Sequence, residues 1–382
     1  MSNFHTIVVG SSFSSIPIIN ILKRLGHYVI VCGNNDSDPA INLCDEYINI
    51  DYSRSDLLFD AIKNKKFNFI VPTCNDFSYQ TATIFANKYN LPGYDSEDTS
   101  SIIFNKKRYK KLLKENNINT PSFIEDSDIT KFPFLVKPVD SFSGIGITKV
   151  LASKDLDAAI SKAKTNSREV QCLYEEFIDG SLHSHSAFIE GGRIKKDYFV
   201  DEYCTNYAYQ VNSSFFPSSI GLKLKNKIRK KVSKIVSVLN LSDGLFHTQY
   251  IIKKRNVYII ESMRRCPGDL FPELINKSLN TNYWEDYVNP FIGRNITEKQ
   301  KPRKIKTTAR HTISTDKKIN LYNYSFDIDK YQKIDIYPLK ENGAMLDFAP
   351  KDKAAIVFLE YKKGKGIEAL TSNFFKGLNF NI

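Results

Sequence analysis

The sequence predicts an α/β (α+β) protein that begins with a parallel sheet and ends in a mostly β region. Three observations lead there. Strand and helix patterns alternate up to Gly93, a hairpin pattern fills Thr248–Ile260, and apolar strand-like runs recur beyond about Ile305. At 382 residues the chain is too long for one simple core, so two or three units are expected.

Thr6–Val9 is a short apolar run that stops at Gly10, Ser14–Leu25 has helical spacing, and Tyr28–Cys32 is a second strand. Ser55–Lys63 reads as a helix and Phe67–Pro72 as a third strand. Strands separated by crossover helices at this spacing form a parallel sheet. The first turn, GSSFSS, has one glycine, and the G-x-G-x-x-G fingerprint of a dinucleotide site is missing. PTCND at 72–76 falls where a strand of such a sheet ends, the usual place for ligand contacts. Asn75 and Asp76 suit a helix cap equally well.

Ser100–Asn116 is helical and rich in lysine, and FLVKP at 134–138 is a strand carrying Lys137. The turn Ser141–Gly146 can lay backbone N–H groups and hydroxyls over phosphate oxygens, with Lys137 as a fixed charge beside it. A plain flexible turn with a solvated lysine is the other reading. Lys154–Ala163 is an amphipathic helix, and CLYEEFIDG at 172–180 is a strand able to line a purine slot. His183 and His185 share one strand face; two histidines without a third ligand read as hydrogen-bonded polar residues or as a metal pair. Lys223–Leu239 is an amphipathic helix with a basic outer face, which lacks the aromatic and base-reading residues of a nucleic-acid footprint.

The hairpin has strands Thr248–Ile252 and Val257–Ile260 around the turn KKRN. Its apolar run stops at Glu261, with Arg264, Arg265 and Pro267-Gly268 just beyond. An acid beside paired guanidiniums suits a site for metal and phosphate, or else a salt-bridged surface loop.

The net charge of +12 and pI near 9.1 come from lysine spread along the whole chain, which favours small anionic ligands over nucleic acid. Six cysteines form no CxxC pair, so a reduced compartment is expected, without a zinc site or disulfide framework. MSNFHTIVVG lacks a basic region followed by a long apolar segment, so no signal peptide is expected, and no apolar run reaches membrane-spanning length. A cytoplasmic protein without membrane partners is expected.

Taken together, IIFNKKRY, FLVKP with SFSGIG, the EEFI strand and the hairpin with its following arginines resemble the ATP-grasp superfamily. The branch is that of biotin carboxylase, carbamoyl-phosphate synthase and the purine-pathway enzymes, and carboxylate–amine ligases are its most similar members. The resemblance covers nearly the whole chain and rests on the order and spacing of four motifs. It implies an N-terminal Rossmann-like domain (1–95), an ATP-grasp domain (96–300) with a mobile lid at about 120–178, and a C-terminal β-rich subdomain (301–382). It implies ATP as cosubstrate and Mg²⁺ or Mn²⁺ as metal.

Residue by residue, the resemblance sets Lys106 and Lys137 on the nucleotide phosphates and Ser143, Gly144 and Gly146 in the loop over them. Glu175, Glu176, Phe177 and Ile178 match the adenine hinge, and His183, eight positions after Glu175, matches the ribose contact. Glu261 takes the place of the second metal-binding acid and Gln249, twelve positions earlier, that of the first. Arg265 matches the arginine facing the reactive phosphate and substrate carboxylate, and Arg310 one sent in from the terminal subdomain. Two departures stand out: Gln249 replaces a carboxylate and Met263 an asparagine, so one firm metal site is expected instead of two.

The implied reaction activates a carboxylate as an acyl-phosphate and joins it to an amine, with small-molecule substrates and a homodimer as the expected assembly. Two other readings stay open: a carboxylase-like or other phosphoryl-transfer enzyme, and a non-catalytic nucleotide-binding module. Substrate selection is expected between Pro72–Asp76 and the segment 209–219.

Overall fold

Four parallel strands open the chain: β1 (His5–Val9), β2 (Tyr28–Gly33), β3 (Glu46–Asn49) and β4 (Phe69–Pro72), in the order β3-β2-β1-β4. They are connected through α1 (Ile16–Arg24) and α2 (Ser55–Ile62), and α3 (Asp76–Tyr89) follows β4. The computed structural model describes residues 4–125, 131–141, 144–298, 304–362 and 371–381. β1, β2 and β4 bury β-branched side chains on both faces, as parallel strands sandwiched between helices must. β3 is the strand that sequence reading missed, because EYIN is a short, half-buried edge with no apolar run. The ends of β1 and β4 approach so closely that a Cβ on Gly10 (φ +112°) would meet Thr73 Oγ1 at 2.4 Å.

Ser100–Asn116 is two helices, a correction to the single one expected: α4 (Glu97–Phe104) and α5 (Lys106–Glu115). Asn105 breaks them by taking an extended backbone and accepting the Arg108 N–H on its side chain at 3.0 Å. An antiparallel sheet in the order β5-β8-β6-β7 follows, from β5 (Phe123–Ile124), β6 (Phe134–Pro138), β7 (Thr148–Val150) and β8 (Cys172–Glu176). α6 (Leu156–Thr165) packs Ala159 and Ala163 onto Phe134, Val136 and Val150, giving this small unit its own core.

The largest sheet has eight strands in the order β13-β12-β9-β10-β11-β14-β19-β17. They are β9 (Ser181–Glu190), β10 (Arg193–Tyr203), β11 (Ser213–Phe216), β12 (Gly244–Lys253), β13 (Asn256–Met263), β14 (Thr308–Ile313), β17 (Tyr331–Pro338) and β19 (Ala355–Tyr361). The C-terminal strands thus extend the central sheet. Short pairs join β15 (Ile319–Asn320) to β18 (Met345–Leu346), and β16 (Asn323–Ser325) to β20 (Asn379–Asn381).

Strand alternation gives the large sheet two apolar faces. On one, Phe246, Tyr250, Val257 and Ile259 pack against Tyr109 and Leu113 of α5 and Ile228, Val232 and Ile235 of α7 (Leu222–Val238). On the other, Phe188, Leu245 and Phe358 meet α8 (Phe271–Leu279) and α9 (Tyr283–Val288), whose core continues into the first sheet. Each such side chain removed from water contributes roughly 1.5–3 kcal/mol. Arg264, 1% exposed by side chain, donates to Asp95 Oδ2 at 2.7 Å and to the carbonyls of Leu245 and Ser242 at 2.8 and 2.7 Å. That buried pair fixes the end of the hairpin against the segment leading into α4. Among the described residues no helix is long and apolar enough to cross a membrane.

Candidate active site

The β12–β13 hairpin turns through Lys254 and Arg255, both at positive φ (47° and 68°), as a two-residue turn of the primed kind requires. Gln249 lies directly opposite Glu261 in the register, and a bulge follows between Gln249 and Tyr250. Bulges re-aim side chains, and this one sits beside the expected metal pair. β13 runs on to Met263, so Glu261 lies within the strand, two residues short of the exit expected for it.

Lys106 opens α5 and reaches across to the small sheet's loop. Its Nζ donates to the carbonyls of Pro138 at 3.2 Å and Ser141 at 3.1 Å. Burial lowers its pKa, with Lys137 acting in the same sense, while Glu261 opposes the shift. Lys137, on β6, ion-pairs with Glu175 of β8, and the same carboxylate holds Lys110 of α5 on its other oxygen. All three are buried. Burial raises the Glu175 pKa, but Lys137 and Lys110 outweigh it and hold the carboxyl below its ordinary value. Burial, with Lys137 in support, brings Lys110 down to about 8 against the pull of Glu175.

Arg265 follows β13 and donates from Nε to Asp76 Oδ1 at 2.6 Å and from Nη1 to the Cys266 carbonyl at 3.2 Å. Asp76 stands at the first turn of α3, at the carboxyl end of the first sheet. Asn75 caps that helix, accepting the Ser78 N–H at 2.8 Å, so the two neighbours divide the roles weighed for them. A cleft of about 580 Å³ is lined by Asp76, Lys106, Ser141, Leu173, Glu261 and Arg265 among others. It lies where the first sheet, the small sheet and the hairpin meet.

The glycine turn folds back toward the large sheet. A Cβ on Gly144 (φ +74°) would meet the Tyr209 carbonyl oxygen at 2.5 Å, so only glycine lets the turn rest on the segment 209–210. Gly146 (φ +76°) sits equally close to Pro138 and Asn166. Ser143 lies outside the described residues.

The remaining predicted residues stand around this centre. Glu176 is exposed and accepts the Ser122 N–H at 3.2 Å, Phe177 carries the Lys149 ammonium 3.7 Å above its ring, and Ile178 is buried. His183 shares hydrogen bonds with Asp201 Oδ1 at 2.8 Å and Ser181 Oγ at 2.7 Å. His185 pairs instead with Asp197 at 3.1 Å, so both histidines are hydrogen-bonded polar residues. Arg310 does not line the cleft, in contrast to the place the resemblance implied for it. It donates to the Asp269 carbonyl at 3.0 Å and to Ser214 Oγ at 2.8 Å, and Asp269 is ion-paired with Lys353. Ser214 and Ser184 also donate to the buried Glu202 at 2.5 and 2.7 Å.

Sequence reasoning missed Lys110, Glu202 and Asp269. Lys110 sits in KKRYKK, where a run of lysines reads as a solvated face; its spacing one residue after Tyr109, on a half-buried helix, was the available signal.

The family's metal can be tested against these residues. Gln249 and Glu261 are cross-strand neighbours with hard oxygen donors, and neither hydrogen-bonds another side chain among the described residues. Met263 is buried and offers only a thioether, and no group of three or more His, Cys, Asp or Glu gathers there among the described residues. The donor set fits one magnesium ion shared with nucleotide phosphates.

Comparison with known proteins agrees with this layout. Residues 100–278 match the family described as D-ala D-ala ligase C-terminus. A formate-dependent phosphoribosylglycinamide formyltransferase of Prochlorococcus marinus subsp. pastoris is 26% identical over 337 residues, covering 84% of this chain and 83% of its own length. Phosphoribosylglycinamide synthetase from Anaerococcus prevotii superposes with a TM-score of 0.78 at 20% identity, covering 100% of both chains. L-amino acid ligase from Bacillus licheniformis gives 0.78 at 18%, covering 100% of this chain and 99% of its own. A dimeric biotin carboxylase domain from Hydrogenobacter thermophilus, in complex with MgADP and bicarbonate, gives 0.77 at 13%, covering 100% and 91%. In its three main sheets and the cleft between them, the chain is similar to these ligases and carboxylases, in keeping with the resemblance to the ATP-grasp superfamily.

Proposed function

We propose that the protein is an ADP-forming, ATP-dependent carboxylate–amine ligase working in this cleft. The observation that carries the reading is the convergence of Lys106, Glu261 and Arg265 on one cavity, with Lys137 held beside it by Glu175. Cations from three separate elements gathered beside Glu261 suit a triphosphate and its metal better than a single small anion.

In this reading Lys106 and Lys137 hold nucleotide phosphates, and Ser143, Gly144 and Gly146 lie over them. The strand Glu175–Ile178 carries the adenine, and His183 takes the ribose. Glu175 acts through its two lysines, setting Lys137 in place from below, while the backbone of 176–178 is left for the base. Gln249 and Glu261 would hold Mg²⁺, which when bound supplies charge neutralisation on the phosphates.

Arg265 orients the substrate carboxylate, whose oxygen attacks the γ-phosphorus and releases ADP. An amine then attacks the acyl-phosphate carbon and phosphate leaves, so the atoms of ATP end as ADP and inorganic phosphate. Closing the glycine turn onto Tyr209 and Gln210 excludes water, to which an acyl-phosphate is vulnerable. The relatives support this choice: one is a formate-dependent formyltransferase and another an L-amino acid ligase.

The reading extends to the division into 1–95, 96–300 and 301–382, to a homodimer, and to a cytoplasmic setting consistent with six free cysteines. The experiment is a coupled assay for ADP with a panel of carboxylates and amines. Amide formation matched one-to-one by ADP supports the ligase. ATP binding without any ADP release from every pair would overturn it.

A further inference from the structure

A second cavity, of about 410 Å³, lies apart from the cleft, between the C-terminal end of α8 and the strands β14, β17 and β19. We propose that it binds a phosphate group, either the free anion or one carried by a small phosphomonoester. The inference is independent of the proposed ligase activity.

Charge points to an oxyanion. Four lysines line the cavity, Lys277, Lys304, Lys306 and Lys333, against three carboxylates. Each carboxylate is already engaged. Asp335 takes Lys277 at 2.9 Å and Lys333 at 3.3 Å, and Glu360 takes Lys306 at 2.9 Å. Glu273 accepts the Trp284 indole N–H at 2.7 Å. Lys304 has no carboxylate partner among the described residues, so the surplus charge at the cavity is positive.

The second observation is a buried hydroxyl. Thr308, at 2% exposure, lines the cavity, and its Oγ1 has no hydrogen-bond partner among the described residues. A buried hydroxyl without a partner is unfavourable, and a bound acceptor would satisfy it. Thr308 and the four lysines line the same cavity. The cavity also exceeds a bare phosphate in size, leaving room for a short carbon skeleton against the ring of Phe358.

Thr308 and Arg310 are two residues apart on β14 and share one face of the strand, roughly 6.5–7 Å apart. The pocket has its own donors and shares no lining residue with the cleft of Lys106, Glu261 and Arg265.

The test uses the full chain with saturating MgADP, so that the nucleotide cleft is filled. Inorganic phosphate and glycerol phosphate are titrated separately by calorimetry. One-to-one binding of either supports the proposal, and the tighter of the two identifies the source of the phosphate group. Thr308→Val should weaken that binding roughly ten-fold or more, since it removes a hydrogen bond to a charged group. Lys304→Gln, at an exposed position, should weaken it about two- to five-fold. Absence of binding by both anions, or affinities unchanged in both variants, overturns it.

Discussion

Arg265 donates its Nε to Asp76 at 2.6 Å across 189 residues of sequence, tying the first sheet to the end of the β12–β13 hairpin. Burial lowers the Arg265 pKa, but Asp76, followed by Glu261, keeps the guanidinium firmly charged. Asp76 is thereby a positioning residue for the arginine proposed to face the substrate. Asp76→Asn keeps the shape and removes the charge. We predict a rise of roughly ten-fold in KM for the carboxylate substrate with a smaller change in kcat, on the scale of one charge-assisted hydrogen bond. Equal loss in kcat and no change in KM would point to a structural role alone.

Lys137→Ala and Glu261→Ala should each abolish measurable turnover: the first removes a cation proposed to hold the phosphates, worth roughly 10²–10³ in kcat for one such donor, and the second the acid proposed to hold Mg²⁺. The folded state of both variants is checked by circular dichroism. A near-normal rate in either would place the chemistry elsewhere.

Lys110 predicts a pH effect. Its pKa is brought down to about 8, so it loses its proton as the pH rises through that value and ceases to share Glu175 with Lys137. The kcat/KM for ATP should fall along an alkaline limb near pH 8, and Lys110→Arg should remove the limb. The sign separates this from unfolding. A lysine whose folded pKa lies below its unfolded one contributes stability that is present above the unfolded value and lost as pH falls through about 8. Activity and this contribution to stability therefore run in opposite directions, and thermal melts at pH 7 and 9 alongside the rates would expose an activity loss that is only denaturation.

Much of this arrangement was legible before any coordinates. Strand–helix alternation gave the parallel sheet, and the hairpin register follows from apolar runs around KKRN. The structure starts β12 four residues before the expected Thr248, and alternation there puts Leu245 and Phe246 on opposite cores. What stayed hidden depends on contacts distant in sequence. Nothing local marks Asp76 as the partner of Arg265, or Lys110 as one of two cations on Glu175. The same holds for β3, whose half-buried EYIN becomes a strand only because β2 offers it an edge. Asn105 is a different case. Its capping side chain was visible in the sequence, but a continuous lysine-rich helix masked the break.

Gln249→Glu restores a second carboxylate opposite Glu261. It should lower the magnesium concentration needed for half-maximal activity, because a charged oxygen ligand binds the hard cation better than an amide carbonyl. An unchanged magnesium dependence would show that position 249 does not reach the metal.

The central claim is tested most directly by measuring ADP release from the wild-type enzyme with Mg-ATP and paired carboxylates and amines, bicarbonate serving as control. The account predicts ADP and phosphate only when a carboxylate is supplied, with amide appearing in equal amount once the amine is added. ADP formed with bicarbonate alone would contradict it.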